Sequence, residues 1–305
     1  MKYKLTLIGF LVTLSLPGKT QVNAVQQIRS LEPVKLYTVT AHNLSLGVDA
    51  NAGSRIVSVK VDGQELLGSS TIHPKYYGSS LWLSPEGKWK GGGVLDTAAY
   101  SVGTANSRQM SFTSQDDTLR GFNMKKEFRV SMPDTSVIVS YTLKNIRASQ
   151  QDVAPWEVTR VPSKGLAFFP AGSLPPLPKS NLAVVQSKGV VWYPYDSSTT
   201  NHQKAFFHGA EGWIAYCKDG FIFIKKFPVI AAGKTAPGEE NVEVYVNKQK
   251  TYIELENQGA YQPLQPNQSL KYEVIWYGRR LPAGMEVSVG NEKLLEFVRR
   301  VISKR

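Results

Sequence analysis

The sequence predicts an all-β protein, either two packed sheets or a barrel, and three observations lead there. Short runs in which Thr, Val, Tyr and Ser alternate with apolar residues recur along the chain, broken by Gly, Pro and Asn. More than ten such runs are present, a density that belongs to sandwiches and barrels. Apolar residues at helical spacing are scarce before Asn291. With 305 residues, 42% of them hydrophobic, 10% aromatic and a single Cys, the chain can bury a sizeable core, which excludes a disordered tail, collagen or a disulfide-stapled miniprotein.

The first element is a leader. Lys2 and Lys4 precede an apolar run over 5–16, then the helix-breaking Pro17-Gly18 and the small-residue pattern Val22-Asn23-Ala24. This is the layout of a secretory signal peptide, 1–24, with the mature chain beginning at Val25 as one domain, 25–305. The run is too short to cross a bilayer, so no membrane insertion is expected. The product is expected to be exported, periplasmic or extracellular. Cleavage removes Lys2, Lys4 and Lys19 and no acid, which lowers the formal charge from +12 to +9. The remaining cations are scattered among acids without a nucleic-acid motif, so a solvated surface is expected and no nucleic acid.

Strands are expected at 36–40, 44–48 and 55–61, the last closing on the turn Asp62-Gly63 before 64–67. Further runs lie at 109–113, 124–130, 136–143, 189–193, 212–216, 221–226, 242–246, 252–256 and 270–276. Cys217 sits in the aromatic run Trp213-Ile214-Ala215-Tyr216-Cys217 and reads as a small buried hydrophobe. The Gly/Pro-rich stretches 87–93 and 170–178 are too long for hairpin turns. After Asn291, Leu294, Leu295, Phe297, Val298, Val301 and Ile302 recur at helical spacing, which predicts a short C-terminal helix packed on the sheets.

The four His are far apart and no Cys or carboxylate set has ligand spacing, so no metal is expected; no phosphate loop or dinucleotide fingerprint occurs, so no cofactor is expected either. Carboxylates, aromatics and Arg remain, the groups with which proteins hold sugars and move protons at anomeric carbons. Three clusters carry them. In 79–89, Trp82 and Trp89 flank Glu86 on a segment that reads as a loop; core burial of Trp82 with Trp89 over a sheet edge is the competing reading. In Pro155-Trp156-Glu157-Val158-Thr159-Arg160-Val161-Pro162, a strand would put Glu157 and Thr159 on one face. In 252–261, alternation puts Glu254 and Glu256 on one face and Ile253 and Leu255 on the other.

Leu255-Glu256-Asn257-Gln258, followed by 263–269 and the run 271–277, resembles the C-terminal end of galactose mutarotases (aldose 1-epimerases). Residues 52–59 with 62–67 are similar to that family's opening hairpin. The chain resembles more closely an uncharacterised bacterial group of the same superfamily through 156–162, 212–216 and Trp276-Tyr277-Gly278-Arg279-Arg280-Leu281-Pro282. The resemblance implies the galactose mutarotase-like β-supersandwich, two large antiparallel sheets, with a sugar groove on one of them and Glu256 as base. The chain departs from mutarotases where their histidines fall: Pro155-Trp156-Glu157 and Ser80-Leu81-Trp82 stand there instead. His202 and His208 are the available substitutes.

The expectation is therefore a carbohydrate-active protein with Glu256, Glu157 and Arg160 at the floor of a groove walled by Trp82, Trp89 and Trp156, and with Thr159 and Gln258 as further sugar contacts. As an epimerase it would use Glu256 as base, Glu157 as a raised-pKa acid and Arg160 to orient or stabilise charge. A glycan-binding protein that keeps the groove without the chemistry is the alternative, and a module using the sheet face for protein contact is a third.

Overall fold

The computed structural model describes residues 35–198 and 201–303. The expected leader lies outside them. Strands β1 (Leu36–Ala41), β2 (Leu44–Asp49), β3 (Arg55–Val61), β4 (Gln64–Glu65) and β5 (Ser79–Ser84) lead into the short helices α1 (Glu86–Trp89) and α2 (Val94–Thr97). Then come β6 (Ser101–Ala105), β7 (Gln109–Thr113), β8 (Phe122–Ser131), β9 (Ser136–Asn145), β10 (Gln151–Pro162) and β11 (Leu166–Pro170). After these follow β12 (Val185–Ser187), β13 (Val190–Pro194), β14 (Gln203–Phe207), β15 (Trp213–Lys218), β16 (Phe221–Lys226) and β17 (Val242–Val246). The last elements are β18 (Tyr252–Gln258), β19 (Gln262–Leu264), β20 (Ser269–Arg280) and α3 (Glu292–Ile302).

The strands form two ten-stranded antiparallel sheets, which decides for a sandwich over a barrel. The first runs β1-β2-β3-β5-β10-β18-β17-β14, with β4 on β3 and β19 on β10; the second runs β12-β13-β11-β15-β16-β20-β9-β8-β7-β6. Their inner faces share one apolar core, in which Val39, Leu46, Leu81 and Leu255 of the first sheet join Phe112, Val139, Phe223 and Trp276 of the second. Burying one such side chain fully is worth roughly 1.5–3 kcal/mol. Alternation sorts β16 cleanly: Phe221 and Phe223 enter this core, while Ile222 and Ile224 point to the far side of the second sheet.

That far side is covered by the helix predicted after Asn291. The Asn291 side chain caps it, accepting from the Leu294 N–H at 3.2 Å. Leu294, Leu295, Val298, Val301 and Ile302 form the stripe that packs against Phe168, Trp192, Trp213 and Ile222. Arg299 and Arg300 lie in the last turn, where cations suit the helix dipole.

Two local expectations are corrected. Residues 79–84, read as loop, are the central strand β5, because Leu81 and Leu83 alternate into the core. Trp89, expected to wall the groove, ends α1 buried in that core, 5.4 Å edge-on from Phe122, with its indole N–H on the Ser84 carbonyl. The strand β10 tolerates Pro155 because it falls between residues paired with β19 (Gln151 to Val153) and those paired with β18 (Trp156 to Pro162).

Candidate functional site

The outer face of the first sheet carries the polar and aromatic residues. Its centre is set by register: on β10, β18 and β17, Arg160 stands opposite Glu254, Val158 opposite Glu256, Glu243 opposite Glu256 and Tyr245 opposite Glu254. Directly opposed antiparallel residues share a face at about 4.5–5.5 Å, so three glutamates and an arginine are crowded together by pairing alone. Arg160 Nε donates to Glu254 Oε1 at 2.7 Å. Its guanidinium lies over Trp82 at 4.8 Å and Tyr76 at 5.7 Å.

A lysine from the edge strand β14 completes the cluster. Lys204 Nζ reaches Glu243 Oε2 at 2.6 Å and Glu256 Oε2 at 2.8 Å, and lies 4.7 Å over the Trp156 ring. The Trp156 indole N–H donates to the same Glu256 oxygen at 2.8 Å. Gln258 Nε2 donates to Glu243 Oε1 at 3.1 Å. Burial pushes the Glu256 carboxyl up to about 7, with Lys204 opposing the rise and the neighbouring Glu243 adding to it. Burial likewise pushes Glu243 up to about 7. Burial works against the Lys204 charge, but the two carboxylates outweigh it and hold that ammonium well above its ordinary range. Glu254 is raised by burial in spite of Arg160. Two carboxyls and one ammonium near neutrality make a group that holds or releases a proton readily.

Above this floor is a cavity of about 320 Å³, whose walls include Tyr76, Trp82, Trp156, Tyr245 and Tyr252 with His202, Glu86, Glu254 and Lys204. Trp82 meets Trp156 edge-on at 5.4 Å. His202 stacks on Tyr245, and its Nδ1 is hydrogen-bonded to that hydroxyl. Glu256 is 0% exposed and does not reach the cavity; Lys204 and Trp156 close over it, and Glu254 is the carboxyl of β18 that lines the wall. Asp96 and Arg55 continue the face beside Trp82, joined at 3.2 Å. Burial raises the Asp96 carboxyl, but Arg55 and the Ser80 hydroxyl outweigh it and hold it low.

The structure brings Glu256, Arg160, Trp82, Trp156 and Gln258 together on this face, and places Glu157 and Thr159 on the other. Glu157 points between the sheets, where its Oε1 accepts from the Tyr141 hydroxyl at 2.6 Å and its Oε2 is 3.3 Å from Lys225 Nζ. Thr159 lies beside it, bonded to Ser79 Oγ at 2.8 Å and to Lys225 Nζ at 2.9 Å. The period of two that makes Glu157 and Thr159 face alike also puts Trp156 and Arg160 on the opposite side. Glu157 therefore cannot serve as an acid across a sugar from Glu256. His208 is outside the cavity, 3.7 Å from Glu240. Lys204, Glu243, Tyr245 and Tyr76 were not singled out from the sequence as site residues. The alternation Lys204-Ala205-Phe206-Phe207 and Val242-Glu243-Val244-Tyr245 held the clue for three of them. Among the described residues no group of three or more His, Cys, Asp or Glu could hold a metal ion, and no helix is long and apolar enough to cross a membrane.

The fold is that of the galactose mutarotase-like proteins. A galactose mutarotase related enzyme of Lactobacillus acidophilus superposes with a TM-score of 0.58 at 10% identity, covering 84% of this chain and 100% of its own. A galactose mutarotase-like protein of Lactobacillus casei gives 0.57 at 9% identity, covering 80% and 100%. Another from Clostridium acetobutylicum gives 0.52 at 10% identity, covering 80% and 95%. No curated protein matches the chain. Within this class the chain belongs to the family described as a domain of unknown function (DUF4380), whose model matches residues 84–279.

Proposed function

We propose that the chain is an exported carbohydrate-binding protein whose sugar site is the aromatic-walled cavity on the outer face of the first sheet. The observation that carries this reading is the composition of that wall. Trp82 and Tyr76 put partly exposed aromatic rings on the wall for the apolar side of a pyranose, with Trp156 behind them, while Glu254, Lys204, His202 and Tyr245 supply acceptors and donors for its hydroxyls. A volume of about 320 Å³ suits a small ligand rather than a long chain segment. Export is supported by the charged, apolar and small-residue segments of 1–24.

A catalytic form of the same reading, epimerisation at an anomeric centre, is favoured by the crowding of Glu243 and Glu256 on the one Lys204 ammonium, where burial pushes both carboxyls up towards neutrality, the range in which a general base works well. In that form the Lys204 ammonium turns from Glu256 towards the ligand, Glu256 takes the proton of the anomeric hydroxyl as the bond between the anomeric carbon and the ring oxygen breaks, and Lys204 gives a proton to that oxygen; reclosure on either face of the carbonyl returns both protons. Proton NMR with reducing mono- and oligosaccharides reads both properties in one tube. Saturation transfer that is lost in Trp82→Ala is the expected result. Accelerated anomeric exchange that disappears in Glu256→Gln selects the epimerase, and transfer without exchange selects the binding protein. Neither signal with any sugar overturns the proposal.

A further inference from the structure

One side of the cavity wall is made by three separate stretches of chain, which have to be held in one arrangement. Tyr76 comes from the connection between β4 and β5, Trp82 from β5 itself and Glu86 from the start of α1. The ends of the β4–β5 connection are tied to β10: the Gly68 N–H donates to the Arg160 carbonyl and the Arg160 N–H to the Gly78 carbonyl, both at 2.8 Å. Its middle is tied by Arg55, the first residue of β3. Arg55 Nη1 donates to the Lys75 carbonyl at 2.7 Å, and the guanidinium lies 4.6 Å over the Tyr77 ring.

Arg55 is held in turn, at 3.2 Å, by Asp96 of α2. Both residues are buried, and neither lines the cavity. Asp96 also meets Trp82. A Cβ on Gly92 would come within 2.3 Å of Asp96 Cβ and 2.9 Å of Trp82 Nε1, so the two side chains converge on this glycine, and a residue with a side chain there would push them apart. Burial works to raise the Asp96 carboxyl, but Arg55, the Ser80 hydroxyl, Arg160 and the Trp82 indole N–H together hold it low. The Arg160 guanidinium, 4.8 Å over the Trp82 ring, fixes the plane of the indole. A partner at the N–H fixes which edge of that plane points where.

Resting on the sugar-binding reading above, we infer that Asp96 is a positioning residue of the sugar site: from behind the wall it sets which edge of Trp82 faces the ligand and, through Arg55, keeps the Tyr76 segment against it. A pyranose then meets a wall already arranged, and less ordering is left for binding to supply.

The experiment uses the mature protein with glucose, galactose and their methyl glycosides. Affinity is read by ligand-observed NMR titration, and Trp82 by its indole N–H resonance, which is assigned by its loss in Trp82→Phe. Asp96→Ala should weaken binding about tenfold, the worth of one hydrogen bond to a charged group. Asp96→Asn keeps an acceptor and should stay within about threefold of the unmodified protein, while the Trp82 resonance moves because its partner has lost its charge. Since the two side chains act as one unit, Trp82→Phe combined with Asp96→Ala should bind no more weakly than the weaker single variant. Unchanged affinity in Asp96→Ala, losses that multiply in the double variant, or a Trp82 resonance that stays in place in Asp96→Asn each overturn the inference and leave sugar binding intact. If Asp96→Ala does not fold, Asp96→Asn and the resonance decide on the same terms. No saturation transfer to any of these sugars with the unmodified protein overturns the sugar-binding reading, and the inference falls with it.

Discussion

The pair β10 and β18 carries a glutamate–lysine contact on each of its faces, and the two contacts differ in kind. On the inner face Glu157 is 3.3 Å from Lys225, and both are 0% exposed. Tyr141, Thr159 and the Leu255 carbonyl satisfy the remaining groups, so the charges are matched one to one. On the outer face one lysine serves two glutamates beneath a cavity. Burial pushes Lys225 down to about 8, with Glu157 opposing, whereas Lys204 is held well above the ordinary lysine range by its two carboxylates. A closed set of partners is structural; an open set with surplus charge has capacity left for a ligand or a proton.

The largest expected effect is on the inner face. Lys225→Met strands Glu157 in the core and should cost about 3–5 kcal/mol in urea unfolding, while adding Glu157→Gln should restore a large part of it. A single-variant cost under about 1 kcal/mol would break the distinction, because Glu157 would then have another source of compensation.

The pH dependence of stability separates the faces by sign. Glu243 and Glu256 titrate at about 7 in the fold, against about 4.3 for a free glutamate, so between these values the fold holds protons that the unfolded chain has released. Stability should fall as pH rises through that window, and Glu243→Gln with Glu256→Gln should flatten the fall. Lys126 and Lys225 titrate at about 8 in the fold and at about 10.4 when unfolded, so between about 8 and 10.4 the unfolded chain binds more protons. Stability should rise with pH there, and Lys126→Met should reduce the rise. Denaturant midpoints measured from pH 4 to 10 in these variants test both slopes.

Smaller effects sharpen the contrast. Glu256→Gln should change stability at pH 7 by no more than about 1 kcal/mol, because Glu243 keeps Lys204, unlike the loss of Lys225 across the sheet. Cys217 is buried in the second sheet and its thiol is pushed up by that burial, so it should react with a thiol reagent only on unfolding. Labelling of the native protein at the rate of the denatured one would show that this part of the sheet opens.

Much of the fold was legible because strands such as β3, β7, β16 and β17 announce themselves by alternation, and α3 by its cap and stripe. Alternation also paired Glu254 with Glu256 and Glu157 with Thr159 correctly. It could not say which pair faced the core, because that depends on Lys225, which sits in an otherwise apolar strand of the opposite sheet. Trp89 was misplaced for a related reason: a tryptophan beside glycines looks exposed until the neighbour it packs on, Phe122, is known. Alternation within β14 sets Lys204 on the outer face, but its place beside Glu243 and Glu256 comes from the register of β14 on β17, a fact about pairing that no local window contains.

That register has a consequence in time. Trp82 sits opposite Trp156, and Trp156 opposite Gln258, so the groove's floor joins segments some 70 to 100 residues apart. Closing such long loops before any contact rewards them makes assembly slow, in the range of milliseconds to seconds for β-rich domains. Glu243, Glu254 and Glu256 lie on β17 and β18, which leave the ribosome after their first-sheet neighbours β5, β10 and β14, so the cluster is completed late in synthesis. Until then Trp82 and Trp156 have no floor beside them, and the cavity they wall exists only in the finished sandwich.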